Sequence, residues 1–306
     1  MLKKLVSYQY LAAVGTVILG LGLTSNFAVA REVGTPLLIP VGGKVGDPVG
    51  ANPPEGFLLI VRNGYSFGTM TDNKGKDLPV DVDVAGTGLQ FHYVPGLELL
   101  GGSYRTYTTI PLVSVTQKTS AGKSTSTGLS DITISPITIS WMLQPGVFTS
   151  SSLAFGVPTG SFDARGNHPN LGANVFSTQF SQAFSFLRDG WNLSTDLTFS
   201  TQSKNKDTDY TSGNEVLLNW TAMKDFGGHS IGLVGYGRWQ ITGDRNEGAE
   251  YGGTIFGRSR QVAAGIGYTH QFGAIAVNAN ILSDFASRNA VNGQILQANI
   301  IIPLGD

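Results

Sequence analysis

Reactive chemistry in this chain would have to come from four histidines, scattered carboxylates and hydroxyls, because it has no cysteine. That excludes thiol nucleophiles, disulfides and Cys-ligated iron–sulfur clusters. Nucleophilic hydrolysis needs a serine or an acid pair beside a positioned histidine. His92, His168, His229 and His270 are the bases on offer, and none lies in a recognisable nucleophile motif. His168 is the best placed, in a stretch with Asp163, Arg165 and Asn167. Asp163, Asn167 and His168 also carry donors for a cation, but a solvated loop has the same composition. Asp207 and Asp209 with Lys204 and Lys206 read as a surface charge cluster. Gly265-Ile266-Gly267 is not a phosphate loop, since no strand-to-helix junction follows it. No catalytic residue, cofactor or metal is assigned.

A second polar set is defined by parity. Arg62, Gln90, His92, Arg105, Asp196, Glu215, Asn219 and Arg238 each fall on the polar face of an alternating stretch. Mixed cations and carboxylates of this kind suit a salt-bridged, wet interior. There they either fill and neutralise the space or touch a passing solute.

The stretch that best shows what positions them is Val175 to Gln202. Phe176, Thr178, Phe180, Gln182, Phe184 and Phe186 alternate with serines, Gln179 and Ala183. Arg188-Asp189-Gly190 is a hairpin turn, and Asp-Gly is a strong signal for one. Trp191, Leu193, Thr195, Leu197 and Phe199 then alternate with Asn192, Ser194, Asp196, Thr198 and Ser200. A soluble sandwich would turn the apolar face inward, whereas a membrane barrel turns it toward lipid. Both strands reach the roughly nine to eleven residues that a tilted membrane strand needs.

Composition supports the barrel. Charged residues make up only 13% of the 306, and glycine accounts for 41 positions. Residues 1–30 have the form of a secretory signal: Lys3 and Lys4, an apolar run from Leu11 to Leu23, and Ala28-Val29-Ala30 as the small-residue cleavage site, with Ala28 and Ala30 as its recognition positions. An anchor helix is the alternative, but the run is shorter than the roughly 20 apolar residues required. Losing two lysines takes the formal charge from −1 to −3, which argues against a nucleic-acid partner.

Residues 31–56 hold Pro36, Pro40, Pro48, Pro53 and Pro54, too many for a regular strand. They are expected to be a lead-in or small plug, or else a flexible tail. From residue 57 to 306 the alternation predicts a transmembrane antiparallel up-and-down β-barrel of about twelve strands. The expected strands lie near 57–70, 86–95, 98–113, 128–141, 147–157, 175–187, 191–202, 210–223, 231–242, 259–271, 274–284 and 291–303. Residues 71–85 and 114–127 are expected to be loops. A bulge is expected at Ser135-Pro136, where the apolar phase slips. Connections should alternate, long after odd strands and short after even ones. Trp141, Trp191, Tyr210, Trp239, Tyr251 and Tyr268 are expected at the two interfaces.

Several segments also resemble a known family. They are Pro53-Pro54-Glu55-Gly56, Leu99 to Tyr104 with Ile110-Pro111-Leu112, Gly128 to Ile132 with Ser135-Pro136, Val157 to Asp163, Asn170 to Asn174, Asp209 to Gly213, and Gly235-Tyr236 through Gln240. In order and spacing over about 200 residues they are similar to the putative meta-pathway of phenol degradation family, whose naming relates to the SphA-like outer-membrane proteins. The resemblance implies a Gram-negative outer-membrane barrel linked to the breakdown of aromatic compounds and acting in their uptake. It implies no catalytic residue. One departure is the C-terminus, Ile300 to Asp306, which lacks the terminal aromatic that helps many barrels assemble.

The function expected is therefore passive uptake of small aromatic or hydrophobic solutes. Bilayer lipid, the solute and the barrel-assembly machinery are the expected partners. A structural or adhesive barrel with a closed lumen is the alternative from another class, and a barrel hydrolase the remaining one.

Overall fold

The structure, a computed structural model, describes residues 31, 32, 34–166 and 168–305. The expected signal 1–30, with Ala28 and Ala30, lies outside the described residues, as do Val33, Asn167 and Asp306. Alternation is expressed as strands throughout. The chain enters β1 (Gly56–Thr71) and β2 (Asp77–Val94), makes the short β3 (Glu98–Leu99), and continues through β4 (Gly102–Thr119), β5 (Gly122–Leu129), β6 (Ile132–Gln144) and β7 (Val147–Val157). Then come β8 (Ser177–Phe186), β9 (Trp191–Gln202), β10 (Tyr210–Thr211), β11 (Glu215–Asp225), β12 (His229–Gln240) and β13 (Arg245–Asn246). Finally β14 (Arg260–Phe272), β15 (Ile275–Arg288) and β16 (Val291–Gly305) complete the wall.

The wall is a closed antiparallel barrel of 12 strands. β5 and β6 together line β4 and act as one strand, β16 pairs back on β1, and β2 pairs with β4. β3 is a short ribbon on β4, and β10 pairs only with β13 outside the wall. Closure follows from the solvent. In hydrocarbon each unpaired backbone group costs several kcal/mol, and a sheet without edges has none. The organising hairpin behaves as its alternation predicts. Phe176, Phe180, Phe184, Leu193, Leu197 and Phe199 are exposed on the outside, while Ser181, Ser185, Ser194, Asp196 and Thr198 are buried within. The register shift between Ile134 and Ile137 is the expected bulge at Ser135-Pro136.

Three expectations need correcting. Residues 77–85 and 114–127 are not loops: β2 begins at Asp77, and β4 and β5 form a hairpin down to a turn at 120–121. In 77–85 Leu78, Val80, Val82 and Val84 alternate with Asp77, Pro79, Asp81 and Asp83, so the carboxylates and the proline hide the strand. From 114 to 127 hydroxyl and amide residues dominate both faces and give no sustained apolar phase. Hydroxyl pairs such as Ser114–Thr127 (2.8 Å) and Thr116–Thr125 (2.9 Å) hold them instead. Long connections consequently follow only β7, β9 and β12, at 158–176, 203–214 and 241–259. On the opposite flank the strands themselves rise higher. Finally, Tyr210 and Tyr251 are not interfacial. Tyr210 is fully buried, and the two rings meet edge to face within the loop cluster at 5.7 Å. Trp191 and Tyr268 are exposed near the short turns, where an interfacial aromatic belongs.

Candidate functional site

Residues 31–55 run through the lumen from the long-loop end to the short-turn end. Proline removes the N–H groups a strand would need, so the segment turns on itself instead. Val45 donates to Gly42 and Ala51 to Pro48. Several of its other polar groups bond inward-facing side chains of the wall. Gly46 N–H donates to Thr221 (2.8 Å), Gly50 N–H to Ser185 (2.8 Å), and Ser140 donates back to Gly50 (2.7 Å). The approach is close enough to demand glycine. A Cβ at Gly50 would lie 2.6 Å from the Ser185 nitrogen.

At the long-loop end Arg31 bonds Glu215 (3.3 Å) and Gln202 (2.9 Å), and Arg238 bonds the other oxygen of Glu215. Next to them Glu32 accepts from Asn205 (2.9 Å), Thr208 (2.5 Å) and Tyr251 (3.0 Å). Burial pushes the Glu32 carboxyl above its ordinary range, against the hydrogen bonds from Thr208, Asn205 and Tyr251. Tyr210 donates to Asp244 (2.6 Å), and burial with that carboxylate pushes its phenol upward. The loops are tied down by Asp131, which accepts from the backbone of Gly160 (2.9 Å) and Ala173 (2.8 Å). Three of the family-like segments therefore meet in one cap.

Midway, Val45 packs with Leu217, Met223, Val234, Tyr236, Leu282 and neighbours into an apolar cluster inside the barrel. The interior is thus not uniformly polar, and the apolar patch lies where the inner segment covers it. Lys44 bonds Asp196 at 2.9 Å, and Asn219 is buried on the next strand in register with Asp196.

Toward the short-turn end the lumen opens into a cavity of about 370 Å³. Arg62 donates to Gln90 (2.9 Å) and bonds Asp47 (2.7 Å) of the inner segment. His92 is only 5% exposed, and neither ring nitrogen has a partner among the described residues. Its ring lies 5.1 Å from that of Tyr107. Arg105 also borders the cavity, and its buried Nε has no hydrogen-bond partner among the described residues. A bulge between Arg105 and Tyr107, opposite Pro136, sets their aim.

All eight parity-selected residues face inward, but they divide. Arg62, Gln90, His92, Arg105 and Asp196 border the cavity, whereas Glu215 and Arg238 belong to the sealed end, with Asn219 between. Sequence reasoning missed Arg31, Glu32, Lys44, Asp47 and Tyr107. Lys44 and Asp47 had a signal: they are the only charges between residues 33 and 54. Of the loop candidates, Asp163 and His168 border a second space of about 260 Å³, and His168 lies 3.4 Å from Ser126. Asn167 lies outside the described residues. Among those described, no group of three or more His, Cys, Asp or Glu is placed to hold a metal.

The sequence pattern of one family matches residues 62–300. The chain belongs to the family described as "Putative MetA-pathway of phenol degradation". Its fold is similar to that of an outer membrane channel from Pseudomonas putida F1, at 15% identity and a TM-score of 0.72, covering 84% of this chain and 97% of that one. The translocator domain of the autotransporter NalP from Neisseria meningitidis is less similar: 11% identity, TM-score 0.50, covering 83% and 90%. No curated protein matches the chain. The barrel is of the Gram-negative outer-membrane type, with its apolar band facing lipid. In such barrels short turns face the periplasm and long loops the exterior.

Proposed function

We propose that this member of the family is an outer-membrane channel for passive uptake of small aromatic or hydrophobic solutes. The observation that carries the reading is the cavity beside residues 44–53, walled by Arg62, Gln90, His92 and Arg105 on one side and by the inner segment on the other. A lumen narrowed this way selects by constriction size and lining charge. The family description supplies the aromatic class. Arg62, Gln90, His92, Arg105 and Asp196 are the residues the solute would touch; Glu215, Asn219 and Arg238 would hold the wall and the inner segment in place. The signal at 1–30, the inner segment as a plug and the barrel from 57 onward are the domain arrangement this reading uses.

A closed structural barrel is the second reading, favoured by the paired charges of the long-loop end. Catalysis fits less well: His229 and His270 stack on one another at the short-turn rim, and His168 sits exposed in a loop. Liposome swelling and single-channel recording on the folded protein separate channel from closed barrel. Solute flux above that of empty liposomes is expected. Its absence, with a barrel that still migrates as folded, leaves the structural reading in possession.

A further inference from the structure

We propose that the short-turn half of the lumen holds a binding site for a small aromatic monocarboxylate, with Arg105 and His92 taking the carboxylate and Tyr107 and Ile60 taking the ring. The proposal deepens the channel reading and rests on it for how the ligand reaches the lumen.

Charge comes first. The ionised groups bordering the cavity are Lys44, Arg62 and Arg105 against Asp47 and Asp196. Lys44 is committed to Asp196 and Arg62 to Asp47, each within 3 Å. Asp47 is close enough for Arg105 to feel, but its carboxylate is bonded to Arg62. Among the described residues that leaves Arg105 as the cation at the cavity without an ion pair. A guanidinium offers a planar fork of donors matched to a carboxylate, and in a half-buried setting such charge-assisted bonds are the strong ones.

His92 is the second, independent observation. A buried polar group without a partner costs about 1–3 kcal/mol, so native structures rarely keep one without reason. Here His92 is 5% exposed, both its ring nitrogens lack a hydrogen-bond partner among the described residues, and the residue borders the cavity together with Arg105. A carboxylate placed between them would accept from both.

The rest of the ligand is read from the remaining wall. The Tyr107 ring lies beside that of His92, and Ile60 and Leu58 border the same space. A flat apolar body is what such a wall accepts. The volume lies within the roughly 300–1,000 Å³ of small-molecule sites. An inorganic anion would satisfy Arg105 and leave the ring wall uncovered, and a neutral aromatic would do the reverse.

Titration calorimetry on the full detergent-purified barrel tests this with benzoate, benzyl alcohol and inorganic phosphate. Benzoate is expected to bind at least about tenfold more tightly than either of the others, the worth of one charge-assisted bond. Arg105→Gln should remove that advantage, and His92→Gln should reduce it, while benzyl alcohol binding stays as it was. Equal binding of benzoate and benzyl alcohol to the unaltered protein overturns the proposal and needs no variant that might misfold. So does benzoate binding that Arg105→Gln leaves unchanged, and phosphate binding as tight as benzoate reduces the site to a bare anion hole and overturns the aromatic part. Liposome swelling keeps the two readings apart. Benzoate binding without flux removes the channel and keeps the site; flux without benzoate binding removes the site and keeps the channel.

Discussion

At the long-loop end Arg31 and Arg238 are both ion-paired to Glu215, and Glu32 is held by donors from three residues. In the short-turn half, Arg105 Nε and both His92 ring nitrogens have no hydrogen-bond partner among the described residues, and both residues border the cavity. The same barrel and the same inner segment serve both. The difference lies in what the segment brings. Near Arg31 and Glu32 it supplies the charges the wall lacks, so the end is sealed. Near Lys44 and Asp47 it supplies one cation and one carboxylate, which leaves the Arg105 charge unspent. Closure at one end and vacancy at the other are written by four charged side chains, Arg31, Glu32, Lys44 and Asp47, in a stretch of Gly and Pro.

Removing residues 34–52 should have the largest effect. The wall keeps its ladder of strand pairs, while the groups that fill the lumen are gone. Single-channel conductance is expected to rise severalfold. An unchanged conductance would mean that the loop cap alone closes the long-loop end.

Charge substitutions compare the ends directly. Glu215→Gln strands Arg31 and Arg238 in a buried site, and breaking such a pair costs about 3–5 kcal/mol. Asp47→Asn strands Arg62, which is less buried, and should cost about 1.5–3 kcal/mol, the range for a hydrogen bond to a charged group. Guanidinium unfolding in micelles reads both. Equal losses would erase the distinction between a sealed and an open end.

His92→Phe should go the other way. It removes two ring nitrogens that have no partner among the described residues, so up to about 1–3 kcal/mol of desolvation cost is recovered, while benzoate binding weakens. A destabilised variant would show that His92 has a partner in the folded protein, such as an ordered water, and would weaken the case for a waiting ligand.

How legible these two ends were in the sequence depends on periodicity. The hairpin at 175–202 announces itself because lipid on one side and water on the other force a strict period of two. β7 and β9 match their expected bounds for the same reason. Where a strand leaves the bilayer that force vanishes. Asp81, Asp83 and Lys118 then look like loop residues, although Lys118 reaches across strands to Asp83 at 2.6 Å. The eight inward residues were found by parity, yet parity says nothing of depth, so residues of the sealed end and of the cavity were grouped together. The inner segment has no period at all. Its path is set by single contacts, such as Gly46 against Asn278 and Lys44 against Asp196, that only the closed barrel brings into range.

The smallest expected effect concerns pH, and it acts on the sealed end alone. Burial raises the Glu32 carboxyl above its ordinary value of 4.5. A group raised on folding binds its proton more tightly in the folded state. Its contribution to stability is therefore fully present below 4.5 and is lost as pH rises through the folded value. Glu32→Gln mimics the protonated side chain at every pH. The variant and the unaltered protein should unfold alike in acid, and the unaltered protein should become the less stable of the two as pH approaches neutrality. The opposite trend would mean that the donors Asn205, Thr208 and Tyr251, together with Arg31, outweigh burial, so that the seal is built for a carboxylate and is strongest when Glu32 is charged.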